Sequence, residues 1–146
     1  MAQWQIKTFS ELTTIELFNL LYTRSEVFVV EQNCVFQEPT LEDLDCLHVF
    51  KTDEAGGIIA YGRIIDKGET VTFGRVITAP QHRGAGSGRE LLTVLISEIT
   101  RRYPARTIEI QAQSYLEHFY GSFGFKACSA YYLEDEIEHV DMKKEG

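Results

Sequence analysis

The stretch Gln81-His82-Arg83-Gly84-Ala85-Gly86-Ser87-Gly88 restricts this chain to few folds. Three glycines at alternate positions are costly inside a helix or strand, so they mark a turn. Before it, Val71 to Thr78 reads as an apolar strand closed by Pro80. After it, Leu91, Leu92, Leu95, Ile96 and Ile99 form one stripe at helical spacing that stops near Pro104. Strand, glycine turn and helix together suit an anion. Residues without Cβ let the backbone approach phosphate, and successive N–H groups converge on it. A helix beginning near Gly86 adds its own N–H groups and the positive end of its dipole. Arg83 and Arg89 can supply formal charge.

Spacing excludes two familiar phosphate loops. A Walker loop needs Lys directly after its last glycine, and none follows here. A dinucleotide fingerprint needs G-x-G-x-x-G, but the third glycine comes one residue early, and Pro80 does not suit a βαβ unit.

The rest of the chain supplies the frame. Trp4 to Thr8 alternates like a strand, and Thr13-Thr14-Ile15-Glu16 has the form of a capping box. Leu17, Leu20, Leu21, Arg24 and Phe28 then predict a helix to about Val27. Phe36 to Asp45, acidic and holding Pro39, reads as a solvated loop. Leu47 to Thr52, Ile58 to Ile65 and Val71 to Thr78 are strands separated by Gly56-Gly57 and Lys67-Gly68-Glu69, an antiparallel meander. Thr107 to Gln111 is a strand and Leu116 to Phe123 a short helix, and Lys126 to Leu133 and His139 to Lys143 are closing strands. The expected class is α+β, helices against a mixed sheet, in one domain spanning 1–146.

Composition narrows the partners. A net charge of −8 disfavours nucleic acid; such a surface either attracts cationic substrates such as amines or only supports solubility. Cys34, Cys46 and Cys128 are odd in number and widely spaced, which argues against a disulfide framework or a metal site. No apolar run approaches the roughly 20 residues of a membrane span, and Met1-Ala2-Gln3-Trp4-Gln5 lacks a signal-peptide pattern, so the expected setting is cytoplasmic.

Gln81, Gly84 and Gly86 fit Q/R-x-x-G-x-G/A, motif A of the GNAT superfamily of N-acetyltransferases, and Tyr120-Gly121-Ser122-Phe123-Gly124-Phe125 stands where that family carries Tyr-x-x-x-Gly-Phe. Glu26 to Cys34, Phe73 to Thr78 and Tyr132-Leu133-Glu134-Asp135 resemble its ElaA-like branch, so the resemblance covers nearly the whole chain. Two departures stand out. Glu136-Ile137-Glu138-His139 replaces a usual Gly-Ile-Pro-His, which bears on the acceptor pocket, and Gln113 replaces a usual Asn.

The resemblance implies a mostly antiparallel mixed sheet in three layers, whose central strand pair splays to admit acetyl-CoA. It places Val76, Ile77, Thr78, Gln81, Arg83, Gly84, Ala85, Gly86, Ser87, Gly88, Arg89, Gln113, Tyr120 and Phe123 at the cofactor. Tyr120 would protonate the leaving thiolate. Glu31, His48 and His139 are the candidates for the base that takes a proton from the amine, a choice the residues leave open. Arg24, Glu31 and Gln32 are the candidate acceptor contacts. The acceptor would be a small-molecule or peptide amine, and relatives leave a homodimer open. Two rival readings are a non-catalytic CoA-binding sensor or interaction module on the same fold, and an unrelated nucleotide-binding protein.

Overall fold

The computed structural model describes residues 3–35 and 37–146. The expectations for Met1, Ala2 and Phe36 lie outside the described residues. In chain order the elements are β1 (Trp4–Thr8), α1 (Thr14–Arg24), β2 (Leu47–Thr52), β3 (Ile58–Asp66) and β4 (Thr70–Thr78). They continue with α2 (Ser87–Arg102), β5 (Thr107–Gln113), α3 (Glu117–Gly121), β6 (Lys126–Ala127), β7 (Tyr132–Glu134) and β8 (Ile137–Lys144).

The capping box forms. Thr13 Oγ1 accepts from the Glu16 N–H at 3.0 Å, and Glu16 Oε1 accepts from the Thr13 N–H at 2.8 Å. The helical stretch outlasts the expected end at Val27. α1 stops at Arg24, and Ser25–Glu31 continues as π-helix, with the Gln32 N–H donating to the Val27 carbonyl at 3.3 Å. Such wide turns are rare and concentrate at functional sites. Here one carries Glu31 and Gln32 out over the sheet.

The strands form one sheet in the order β1-β2-β3-β4-β5-β8-β6, and β7 lies on the β8 edge that β6 also uses. All pairings are antiparallel except β4 with β5, which are parallel and paired only at Thr70↔Thr107 and Val71↔Ile108. Beyond Val71 the two strands part, leaving one backbone edge of β4 without a strand partner. A bulge accompanies the parting. The β3–β4 register shifts between Arg63↔Gly74 and Tyr61↔Ile77, so Gly62 faces both Arg75 and Val76. Arg75 takes a left-handed φ of +51° there. The meander and the splay are therefore as expected.

The expected strand Lys126 to Leu133 is instead two short ones. Between them Ser129 Oγ accepts from the Asp141 N–H at 2.9 Å and the Cys128 N–H donates to the Asp141 carbonyl at 2.8 Å, replacing regular pairing with β8.

Apolar side chains fill both sheet faces. On one, Leu91, Leu92, Leu95 and Ile99 of α2 pack with Val49, Ala60, Phe73, Ile108, Ile110, Val140 and Met142. On the other, Leu20 and Val27 pack with Phe50, Ile58, Tyr61 and Ile77. Gly62 lets α2 come close, since a Cβ there would stand 3.0 Å from Leu95 Cδ1.

Candidate active site

The splay opens a cleft of about 960 Å³. Its walls are the parted faces of β4 and β5, the π-helical end Val27 to Gln32, and Leu116, Phe119 and Tyr120 from the α3 region. Of the residues singled out from sequence, it gathers Glu31, Gln32, Val76, Ile77, Thr78, Arg83, Gly88, Gln113, Tyr120 and His139.

The glycine turn lies beside one mouth. Gly84 and Gly86 have φ of +87° and +81°, which only glycine adopts freely, and a Cβ at either would meet nothing within 4 Å. Their role is thus backbone shape beside open space, which a phosphate can fill. Gly86 caps α2 and has no side chain to satisfy that helix's first N–H groups, so these offer themselves to an anion. Gln81, Ala85 and Arg89 are exposed and Ser87 is buried. Arg89 lies over the Phe123 ring at 4.6 Å and donates to Ser122 Oγ at 3.2 Å, forming a flat cationic platform by the helix start.

Arg83 is already engaged. Its Nη1 and Nη2 donate to Glu31 Oε2 and Oε1 at 2.9 and 2.7 Å, a bidentate pair across the mouth, and its Nε donates to the Thr78 carbonyl at 3.2 Å. Two further contacts carry the same segment across the cleft. Gln32 Nε2 donates to Gln113 Oε1 at 3.3 Å, and Cys34 Sγ reaches the Asp135 carbonyl at 3.5 Å. The π-helical end is thereby a bridge over the splay.

Tyr120 is 6% exposed, packed among Phe73, Phe119 and Phe125. Burial pushes its hydroxyl well above the usual phenol range, so it stays protonated. His139 Nδ1 lies 2.7 Å from the Ile137 carbonyl. A carbonyl only accepts, so Nδ1 carries the proton and Nε2 keeps a lone pair in the neutral ring. The ring stacks on Tyr132, whose hydroxyl donates to Asp141 Oδ1 at 2.5 Å.

Three expectations are corrected. Arg24, expected to touch acceptor, is fully buried: Nε donates to Glu38 Oε1 at 2.7 Å and Nη1 to Asp43 Oδ1 at 2.8 Å. His48, a candidate base, is also fully buried. Its Nε2 lies 2.9 Å from the Asp43 carbonyl and its Nδ1 2.6 Å from Tyr61 Oη, and burial lowers its pKa, so it is a neutral core group. Glu31 is a poor base, because the Arg83 guanidinium holds its carboxyl below the usual range.

The acidic stretch is solvated along most of its described residues, but not at two of its carboxylates. Glu38 and Asp43 are buried and meet three arginines, with Arg63 Nη1 on Asp43 Oδ1 at 2.8 Å and Arg75 Nε on Glu38 Oε1 at 2.9 Å. A local signal existed: Thr40 and Asp43 form their own capping box. Asp43, Cys46 and His48 bring their donor atoms within 4.8 Å of one another, but both carboxylate oxygens of Asp43 accept from guanidinium groups. No cysteine is activated. Burial raises Cys34 and Cys128 and pushes Cys46 up to about 11.

Splayed strands, glycine turn and buried tyrosine define a class, and comparison agrees. Residues 24–146 match the acetyltransferase (GNAT) domain, and the chain belongs to that family. Protein ElaA of Escherichia coli is 39% identical over 152 residues, covering 99% of this chain and 97% of that one. A UPF0039 protein of Schizosaccharomyces pombe is 38% identical over 141 residues, covering 95% and 94%. Among solved structures, an acyl-CoA N-acyltransferase from Pseudomonas aeruginosa superposes with a TM-score of 0.93 at 36% identity, covering 99% of both chains. The Escherichia coli ElaA structure gives 0.92 at 36%, again over 99% of both.

Proposed function

We propose that this chain is an acetyl-CoA-dependent N-acetyltransferase that passes its acyl group directly to a primary amine while both are bound. The observation that carries the reading is the splay, which leaves one β4 edge from Thr72 to Thr78 without a strand partner inside a cleft of mixed polar and apolar lining, with Gly88 of the glycine turn in its wall.

The residues present fit an acyl-CoA. The turn at Gly84 and Gly86 and the first N–H groups of α2 would hold its diphosphate, and the Arg89–Phe123 platform an outer phosphate or base. The free edge of β4 would pair with its amide-bearing arm. When bound, acyl-CoA supplies the acyl group activated as a thioester. An N–H of Val76, Ile77 or Thr78 would stabilise charge developing on the acyl oxygen, since fixed dipoles act strongly where water is excluded. Nε2 of His139 would take the amine's proton directly or through water, and Tyr120 Oη would deliver one to the departing sulfur. The buried phenol is a weak acid, but the same desolvation makes a thiolate a stronger base.

Among the cleft's basic side chains, Arg63, Lys67, Arg75 and Arg83 each pair with a carboxylate. Glu109, Glu134 and Asp135 also line it, so its balance favours a cationic acceptor, in line with the net charge of −8.

Release of free CoA thiol from acetyl-CoA, followed across a panel of metabolite amines, amino acids and peptides, tests the proposal. Amine-dependent release with formation of the N-acetyl product is expected. Acetyl-CoA binding without release by any amine would favour the sensor reading.

A further inference from the structure

The acidic segment and the bulge are connected through one carboxylate oxygen. Glu38 is 3% exposed, and its Oε1 accepts from Arg24 Nε and Nη2 at 2.7 and 2.5 Å and from Arg75 Nε at 2.9 Å. Arg24 is in turn fixed by Asp43, so Glu38 cannot shift without disturbing a buried network. Arg75 is the one residue of β4 at positive φ, and its guanidinium lies over the Phe28 ring at 5.8 Å. For a residue with a Cβ the left-handed conformation is unfavourable, and it persists only where surroundings enforce it. Glu38 and Phe28 hold the Arg75 side chain there. The bulge they hold lies in the part of β4 that has already left β5, just before Val76, Ile77 and Thr78.

We infer that Glu38 is a positioning residue for the transfer step: through Arg75 it holds the left-handed bulge that aims the β4 backbone N–H groups into the cleft. The kinetic part rests on the acyltransfer reading above, while the structural part stands without it.

Two substitutions at Arg75 separate this from alternatives without disturbing the buried core. Arg75→Ala keeps a Cβ at the strained position but loses the anchor. Arg75→Gly loses the anchor and the strain together. The inference expects Arg75→Ala to lower kcat by about 10- to 100-fold, the scale at which small misplacement is felt. Arg75→Gly should stay within about threefold of the parent and become indifferent to Glu38→Gln, which alone should behave like Arg75→Ala. Amide hydrogen exchange at Val76 to Thr78 supplies a readout independent of turnover, faster in Arg75→Ala and Glu38→Gln and near parental in Arg75→Gly. Equal kcat losses in Arg75→Ala and Arg75→Gly, or unchanged exchange at those amides in Glu38→Gln, would overturn the inference. Altered exchange without detectable turnover in any variant, parent included, would support the structural link and count against the acyltransfer reading instead.

Discussion

Tyr120 shows how one side chain can have two roles without conflict. Its ring belongs to the aromatic group of Phe73, Phe119 and Phe125, and the residue also lines the cleft. Tyr120→Phe keeps the ring and removes only the hydroxyl. The expected result is a loss of about 10²-fold or more in kcat, with CoA affinity within a few-fold of the parent, read by steady-state kinetics beside calorimetry. Equal loss of affinity and rate would make Tyr120 a packing residue. Of the three candidate bases His48 is buried, Glu31 is paired with Arg83, and His139 lines the cleft with Nδ1 on the Ile137 carbonyl; the sequence could not have ranked them. His48 and His139 each carry the same side chain within a strand, and only the fold buries one behind Tyr61 and turns the other toward the splay.

At the scale of elements, the β7–β8 hairpin has a strained turn. Asp135 and Glu136 sit at φ of +51° and +65°, the signature of a two-residue turn that prefers Asn-Gly or Asp-Gly. Asp tolerates this conformation and Glu does so poorly. Glu136→Gly should therefore raise stability by about 1 kcal/mol in denaturant titration. An unchanged or lower midpoint would show that the turn is not strained. Periodicity made the meander, α2 and the glycine turn legible because each is a local pattern. The π-helical continuation was not legible, since nothing in Ser25 to Glu31 distinguishes a five-residue from a four-residue hydrogen-bond step. Nor was the break between β6 and β7, which depends on the Ser129 hydroxyl replacing backbone pairing with Asp141.

Across the whole molecule, the least legible feature is the buried charge network. An acidic, Pro-containing stretch reads as solvated because its partners, Arg24, Arg63 and Arg75, are scattered along three other elements. Asp43 has consequences for stability. Burial would raise its pKa, but hydrogen bonds from Arg24, the Thr40 N–H and Arg63 outweigh that and hold it well below the carboxylate range. A depressed folded-state pKa gives stability that is full above the unfolded value of about 3.9 and fades as pH falls below it. Asp43→Asn should cost about 3–5 kcal/mol at neutral pH, because it takes from the buried guanidinium groups of Arg24 and Arg63 the carboxylate they share. It should also flatten the loss of stability below about pH 4. A variant with parental acid sensitivity would mean that other carboxylates control acid unfolding.

The account as a whole turns on whether the splayed cleft and its glycine turn take an acyl-CoA. Calorimetric titration of the folded protein with acetyl-CoA, CoA and NAD in parallel, repeated on Gly86→Val, addresses that most directly. The account predicts binding of both CoA species, no comparable binding of NAD, and a loss of about tenfold or more in CoA affinity for Gly86→Val, equivalent to at least about 1.4 kcal/mol. Folded protein that binds neither CoA species, or binds NAD equally well, would contradict it.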